Sequence, residues 1–343
     1  MNIPIRNIYH MLCYAWDFVQ DYQAIPLAAE RWSGIPELFA FILIGLTSNL
    51  VRRGLHRSYI QYSQAVSEIQ GKIDIPTTIR TALRPRQLLQ CEYDDLSHDI
   101  CSNQIIKATF LDLLKCKDLQ PDLKKRCEAL YRRLSHISNI ALHGGLFRTV
   151  QVHRNNRIYR FLLDICRLVY ECKVPTEERG VVKFSDFRKD ETVMRRLYEQ
   201  FIRSFYRYHA KEYEVKHPQV KWAGVSGVES ALDRLPLMQT DLVLKKEGRY
   251  LIIEAKFTPR IMGERFGIMR LRSPHLYQIY AYLKNASYNQ PKDALYEGML
   301  LYPVVSNPAS YDYSLPGAKL HIRSINLNQE WESIHQDLLR IIA

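Results

Sequence analysis

Apolar residues at helical spacing predict a series of helices in the first half of the chain. They recur every three or four positions over residues 5–16 and again over residues 36–52. Residues 57–95 are rich in β-formers interrupted by Gly71 and Pro76, a pattern typical of short strands. Helical spacing then returns over residues 101–117, 121–137 and 157–172.

The second half has a different pattern. Residues 173–190 contain Pro175, Gly180 and several charges without a clear period, which predicts a connection between two regions. The predicted elements that follow are a helix over 191–209, strands over 214–221, 240–245 and 249–257, a helix over 274–284 and a strand over 297–304. We therefore expect an α+β region over residues 1–180, and then a mixed α/β domain over residues 181–343, with a central mixed sheet flanked by helices.

Two acids are predicted to face each other at the end of a hairpin. The chain turns at Glu247 and Gly248, where glycine readily adopts the positive φ of a tight turn. A turn centred there pairs residues whose numbers add up to about 495, so that Asp241 lies opposite Glu254. Because side chains alternate along a strand, Lys256 points to the same face as Glu254.

Two carboxylates and an ammonium at one end of apolar strands predict a cation site. Facing acids repel each other unless something compensates their charge, and hard oxygen ligands suit Mg²⁺. Lys256 could then orient or help to deprotonate a water bound to the cation for in-line attack on a phosphodiester. The alternative is a surface hairpin with an ordinary ion pair, because this spacing of Asp, Glu and Lys is common by chance.

Two further features follow the hairpin. Gln278 and Tyr282 are four residues apart on the next predicted helix, so they share a face and could touch DNA, although a packed tyrosine explains the pattern as well. The segment between hairpin and helix is basic, and we expect a loop that clamps DNA phosphates rather than a merely solvated one. Its arginines are Arg260, Arg265, Arg270 and Arg272.

The charge balance favours a polyanionic partner. The chain has 48 lysines and arginines against 36 acids, a formal net charge of +12, which suits nucleic acid or an anionic membrane surface. The longest apolar run, residues 39–46, is far shorter than the roughly 20 residues that span a bilayer, and residues 1–16 lack a signal-peptide block. Seven scattered cysteines form no Cys-x-x-Cys pair, as is typical of a reducing compartment. We expect a soluble, cytoplasmic protein without a membrane partner.

The acid pair and its surroundings resemble the PD-(D/E)XK restriction-endonuclease superfamily. The residues that carry this resemblance are Asp241, Glu254-Ala255-Lys256, Gln278 and Tyr282. Over nearly the whole chain the sequence is also similar to the McrC family, the nuclease subunits of McrBC modified-cytosine restriction systems. The matching segments are residues 4–12 and 14–16, 71–74, 235–241 and 301–303. Thr240 stands where the superfamily pattern has proline, and Glu254 stands where many relatives have aspartate.

The resemblance implies a nuclease that cleaves double-stranded DNA containing modified cytosine. It implies Mg²⁺ held by Asp241, Glu254 and the backbone carbonyl of Ala255. Glu199, on the preceding helix, is the candidate for an assisting acid, although a solvated charge on a helix face explains it equally well.

The resemblance also implies a partner, an AAA+ GTPase ring of the McrB type. The chain has no P-loop, so GTP would be bound by the partner and not by this chain. Residues 1–180 would dock on the ring and stimulate its GTP hydrolysis, and residues 181–343 would form the nuclease domain.

Two other functions stay open. One is a non-cleaving adaptor that only activates an AAA+ motor, but an adaptor has no use for a facing acid pair. The other is a stand-alone DNA repair nuclease, against which the N-terminal segment that resembles the McrC family argues.

Overall fold

The chain divides into two units close to the predicted change of pattern. In the structure, a computed structural model, the described residues are 1–19, 34–82, 88–152, 156–178, 180–227, 234–258, 260–265, 268–288, 294–306 and 308–343. Residues 34–185 form one unit, here called the insert unit. Residues 1–19 and 186–343 form the other, here called the sheet unit.

Helices and strands alternate along both units. The helices are α1 (Ile5–Ala15), α2 (Ile35–Arg53), α3 (Ile75–Ala82), α4 (Cys101–Leu114), α5 (Pro121–Arg133), α6 (Leu146–Thr149), α7 (Arg157–Glu171), α8 (Glu191–His209), α9 (Ser273–Ser287) and α10 (Trp331–Ile342). The strands are β1 (Ser58–Val66), β2 (Lys72–Ile73), β3 (Leu89–Ser97), β4 (Lys173–Val174), β5 (Lys183–Phe184), β6 (Glu214–Lys216), β7 (Gln219–Val220), β8 (Met238–Gln239), β9 (Leu242–Lys246), β10 (Arg249–Ala255), β11 (Met262–Arg265), β12 (Ile268–Leu271), β13 (Leu295–Val304), β14 (Ser310–Leu315) and β15 (Ala318–Asn326).

The insert unit combines a helical core with a small antiparallel sheet. Helix α2 packs against α4, α5 and α7, and the sheet has the order β1-β3-β2. The segment that was predicted to be strands throughout also contains α3. Asp74 starts this helix, because its Oδ1 accepts a hydrogen bond from the backbone N–H of Thr77 (3.1 Å), and Pro76 is compatible with the first turn.

Helix α2 is the apolar helix of the insert unit. Among the described residues it alone is long and apolar enough to cross a membrane, judged by length and composition only. Two thirds of its apolar window, 67%, is buried inside the protein. A core helix passes the same test, so this helix is weak support for a membrane span.

The sheet unit is built on six strands in the order β14-β15-β13-β10-β9-β6. Strands β10, β13 and β15 are parallel, whereas β6, β9 and β14 run antiparallel to their neighbours. The predicted fold class, α+β with a central mixed sheet and helices, is confirmed. The predicted strand over residues 214–221 is split into β6 and β7, because Pro218 has no N–H for a ladder hydrogen bond.

The first helix requires a correction to the predicted domain division. Residues 1–180 were expected to form one region, but α1 packs against α8 in the sheet unit. Buried Asn7 donates from its Nδ2 to the carbonyls of Leu327 (2.9 Å) and Gln329 (2.8 Å). The ring of His10 stacks on Trp331 with 4.3 Å between ring centres. These contacts span about 320 positions of sequence, which no local pattern reveals.

One face of the central sheet packs closely against α9. Val243, Ile252 and Leu300 form a buried cluster with Ile279 and other residues of this helix. A Cβ atom added at Gly298 of β13 would lie 2.8 Å from Leu283 Cδ1 and 2.9 Å from Ile279 Cγ1. Glycine therefore allows the helix to approach the sheet, and this approach determines the position of the polar residues of α9.

Candidate active site

The two acids of the site are placed by a tight hairpin. Strands β9 and β10 pair with the predicted register: Arg249 lies opposite Lys246, and the ladder ends where Ile253 meets Leu242. Glu247 and Gly248 form the turn with φ of 45° and 81°. Continued by one position, this register brings Asp241 opposite Glu254.

A backbone hydrogen bond holds the first acid against the second strand. The N–H of Ala255 donates to Asp241 Oδ2 at 2.9 Å. Asp241 is half-buried and Glu254 is buried. The hairpin therefore presents both carboxylates at the same end of the strand pair, as the sequence predicted.

A chain of hydrogen bonds connects the acid pair to α9. Lys256 Nζ lies 2.7 Å from Glu254 Oε1 and donates to Gln278 Oε1 at 2.8 Å. Gln278 Nε2 donates to the hydroxyl of Tyr282 at 2.8 Å, and this hydroxyl donates to the carbonyl of Gln239 at 3.1 Å. The structure therefore brings together the predicted residues of β10 and α9 in one connected network.

Burial makes the negative charge at this site costly. Burial, together with the repulsion of the neighbouring Asp241 carboxylate, raises the pKa of Glu254 to about 7. Burial also raises the pKa of Asp241. Burial and the Asp241 carboxylate raise the pKa of Glu199 on α8, which places Glu199 within electrostatic reach of the pair. The site thus gathers three acids whose charges oppose one another and are partly balanced by Lys256.

Sequence reasoning missed a set of side chains that anchor the strand leading into Asp241. Arg203 Nε donates to the carbonyl of Asp241 at 3.0 Å. His217 Nδ1 lies 2.8 Å from Gln239 Nε2 and 3.0 Å from the carbonyl of Thr240, so it accepts from the amide in one tautomer and donates to the carbonyl in the other. Arg203 and Tyr282 thus hold the carbonyls of Asp241 and Gln239, and His217 contacts the segment between them. The spacing of Arg203 four positions after Glu199 on one helix face was the available signal, whereas nothing in the sequence marked His217.

The acid pair offers few oxygen donors for a divalent cation. Glu254 Oε2 is buried and has no hydrogen-bond partner among the described residues. That same described portion contains no group of three or more His, Cys, Asp or Glu side chains suited to hold a metal ion. The set therefore fits Mg²⁺, which binds proteins through one or two carboxylates and takes its other oxygens from water and substrate, better than it fits a fully protein-coordinated metal.

The arginine-rich segment is a hairpin and not the loop that was predicted. Strands β11 and β12 pair with each other outside the central sheet. Arg260, Arg270 and Arg272 are exposed, and Arg272 Nε donates to the carbonyl of Arg260 at 3.1 Å, which closes the base of the hairpin. Arg265 belongs to β11, but its side chain lies outside the described part of the chain.

Sequence comparison assigns the class of the protein. The sequence model of the family described as "McrBC 5-methylcytosine restriction system component" matches residues 5–303. The chain belongs to this family and is a component of a restriction system of the McrBC type.

Comparison with an individual protein agrees with this family assignment. The chain is 30% identical over 339 residues to the type IV methyl-directed restriction enzyme EcoKMcrBC of Escherichia coli K12, covering 99% of this chain and 97% of the relative. The resemblance to the McrC family that the sequence predicted is confirmed.

The fold is also shared with a solved assembly. That structure is described as the refined half-complex from a tetradecameric assembly of Thermococcus gammatolerans McrB AAA+ hexamers with bound McrC. The match has a TM-score of 0.60 at 17% identity and covers 99% of this chain and 76% of the other. At this identity the likeness supports the fold alone.

Proposed function

We propose that this chain is the nuclease subunit of a modification-dependent restriction complex. It would cleave phosphodiester bonds of double-stranded DNA that contains modified cytosine, with Mg²⁺ as cofactor. The observation that carries the proposal is the buried Oε2 of Glu254, which has no hydrogen-bond partner in the described structure and lies in a carboxylate facing a second acid. A buried oxygen without a partner is costly, and a cation compensates both this oxygen and the repulsion between the acids.

The carboxylates of Asp241 and Glu254 would hold the cation, with the backbone carbonyl of Ala255 as a third oxygen. A bound Mg²⁺ supplies positive charge that neutralises the acids and stabilises the charge developing on the phosphodiester. The N–H of Ala255 already fixes one oxygen of Asp241. This hydrogen bond keeps the acid oriented before any ligand arrives.

We assign to Lys256 the role of contacting the reacting groups. An ammonium has three N–H donors, and two of them are directed at Glu254 Oε1 and Gln278 Oε1. The third can bind the attacking water or a phosphate oxygen. Gln278 and Tyr282 hold the ammonium in place, and Glu199 adds negative charge near the site.

DNA and an AAA+ GTPase ring are the proposed partners. The exposed guanidinium groups of Arg260, Arg270 and Arg272, with Arg265 on the same hairpin, suit DNA phosphates. In the Thermococcus assembly McrC is bound to McrB AAA+ hexamers. The sequence of this chain lacks a P-loop, so the partner would bind GTP, and the insert unit is the proposed docking region that stimulates its hydrolysis.

The experiment is cleavage of cytosine-methylated DNA by the reconstituted complex with GTP and Mg²⁺. Asp241→Ala, Glu254→Ala and Lys256→Ala should each abolish cleavage and leave partner GTP hydrolysis largely intact. Lys246→Ala is the matched control, because it removes one lysine from the same hairpin at a position over the ring of Tyr213. Cleavage at the wild-type rate by the Lys256→Ala complex would contradict the proposal. Wild type that stimulates GTP hydrolysis without ever cutting DNA would identify an adaptor.

A further inference from the structure

A cavity of about 460 Å³ lies at the C-terminal end of α9. Its walls include the aromatic side chains of Trp222, Tyr250, Tyr288 and Tyr296. The rings of Tyr250 and Tyr296 are stacked face to face, with 4.6 Å between their centres and 4° between their planes. The volume lies in the range of cavities that take a small organic ligand, and the walls suit a planar one.

The charged side chains of the cavity are all basic. Lys216, Lys221 and Lys245 line it, and no acid does so among the described residues. Lys245 Nζ lies 5.3 Å from the centre of the Tyr250 ring. Glu214, outside the lining, is 2.6 Å from Lys216 and 3.9 Å from Lys245 and offsets part of their charge. Aromatic faces combined with lysines are the arrangement that binds the bases and phosphates of single-stranded nucleic acid.

The cavity shares a sheet face and a helix with the candidate active site. Tyr250 and Glu254 are four residues apart on β10, so they point to the same face about 13 Å from each other. Helix α9 contributes Gln278 to the acid pair and Asn285 to the cavity. A ligand in the cavity would therefore lie within a few nucleotides of the site.

A stripe of exposed side chains runs along α9 and ends at the cavity, where Tyr288 is part of the lining. Tyr277, Tyr280 and Lys284 share one face of α9, and Tyr288, the residue that caps the end of the helix, follows four positions later, so that the stripe covers about 17 Å. Tyr277 is 73% exposed, Tyr280 37% and Tyr288 51%. Lys284 Nζ lies 5.4 Å from the centre of the Tyr280 ring. Exposed tyrosines in a row, with a lysine among them, are suited to successive bases rather than to a packed core.

We propose that the stripe and the cavity bind an unpaired stretch of DNA strand beside the cleavage site, with a base stacked in the cavity and phosphates on its lysines. The ligand is a single strand because paired bases in a duplex do not offer their faces to aromatic side chains. The inference rests on the proposed nuclease function, since it specifies the form of DNA that reaches the site.

The test measures the binding of fluorescently labelled oligothymidylate to the full chain by fluorescence anisotropy. EDTA is present, so that the DNA is not cleaved during the measurement. Tyr288→Leu should weaken binding about tenfold, in line with the loss of one stacked base. Its matched control, Tyr313→Leu, removes a tyrosine of similar exposure (41%) from β14 and should change the dissociation constant less than twofold.

A second pair of variants tests the charge, because each removes one lysine that lies over a tyrosine ring. Lys245→Ala should lower the slope of log affinity against log salt by about 0.7, the value for one phosphate contact of a single strand. Lys246→Ala, its neighbour on β9, should leave that slope unchanged. Equal behaviour of Tyr288→Leu and Tyr313→Leu, or absence of oligothymidylate binding by wild type, would overturn the inference.

Failure of the inference and failure of the proposed function have different signatures. Asp241→Asn should bind oligothymidylate as wild type does in EDTA, although the complex that contains it does not cut. A complex that cuts normally but binds no single strand refutes the cavity assignment alone. Single-strand binding without any cutting refutes the nuclease assignment alone.

Discussion

Replacing Glu254 with glutamine should stabilise the sheet unit at neutral to alkaline pH when no divalent cation is present. Glu254 is 3% exposed, and burial, with a further contribution from Asp241, raises its pKa from 4.5 to about 7. The folded protein therefore binds the Glu254 proton more tightly than the unfolded chain does. The protonated Glu254 side chain therefore contributes to the unfolding free energy in full below about pH 4.5, and this contribution is lost as the pH rises towards and through 7.

The size of the effect follows from the shift in pKa. A change from 4.5 to about 7 corresponds to roughly 3 kcal/mol of lost unfolding free energy once the group is ionised. In the variant, the amide nitrogen occupies a position like that of Oε2, which has no partner, and this offsets roughly 1 kcal/mol. The net gain is about 2 kcal/mol, or roughly 4–8 °C in the melting temperature of a unit of this size.

The assay is thermal and urea unfolding of wild type and Glu254→Gln from pH 5 to pH 8, in EDTA and in Mg²⁺. Glu297→Gln is the matched control, because Glu297 is equally buried on the adjacent strand β13 but pairs with Arg249 Nε at 2.7 Å. This variant should lose roughly 1–3 kcal/mol of unfolding free energy. The two glutamine substitutions are thus expected to have opposite signs.

Mg²⁺ should stabilise wild type and leave Glu254→Gln nearly unchanged, because the variant lacks one of the two proposed ligands. If Glu254→Gln were less stable than wild type at pH 8 in EDTA, the Glu254 carboxylate would not destabilise the folded protein. That result would contradict the proposed cation site. An equal response of both proteins to Mg²⁺ would mean that the cation binds elsewhere.

Three further predictions follow from the described contacts. Asn7→Ala should lower the unfolding free energy by roughly 2–4 kcal/mol in urea titrations, because the carbonyls it binds, including that of Leu327, lose their donors; an effect below about 0.5 kcal/mol would refute the docking of α1. Arg270→Ala combined with Arg272→Ala should weaken duplex DNA binding and reduce the slope of log affinity against log salt by about 2, and an unchanged slope would exclude phosphate contacts. A fragment of residues 34–185 should stimulate the GTP hydrolysis of the partner without cutting DNA, and a lack of stimulation by a folded fragment would remove the docking role from the insert unit.

The hairpin of the site was predictable because its determinants are local. Gly248 fixes the turn, the turn fixes the register, and the register places Asp241 opposite Glu254. Gln278 and Tyr282 were predictable for the same reason, since a helix puts residues four apart on one face. The hydrogen bonds from Lys256 to Gln278 and from Tyr282 to the carbonyl of Gln239, which join the strands to the helix, required the tertiary structure.

Other elements were missed because competing signals outweighed them. Helix α3 is rich in threonine and isoleucine, which favour strands, and its start depends on the single cap at Asp74. The sequence also left β14, β15 and α10 unpredicted, although β15 pairs with β13 in the centre of the sheet unit. The anchoring of Asp241 by Arg203 and the docking of α1 depend on residues distant in sequence, which periodicity does not detect.

The return of α1 to the sheet unit affects the order in which the chain can fold during synthesis. Residues of α1 leave the ribosome first, but Leu327, whose carbonyl Asn7 binds, emerges more than 300 residues later, a delay on the order of tens of seconds. The insert unit, which lies between them, can fold in the meantime. The sheet unit, which contains the candidate active site, would then be completed last, so a chain whose translation stops early would carry the insert unit without a finished site.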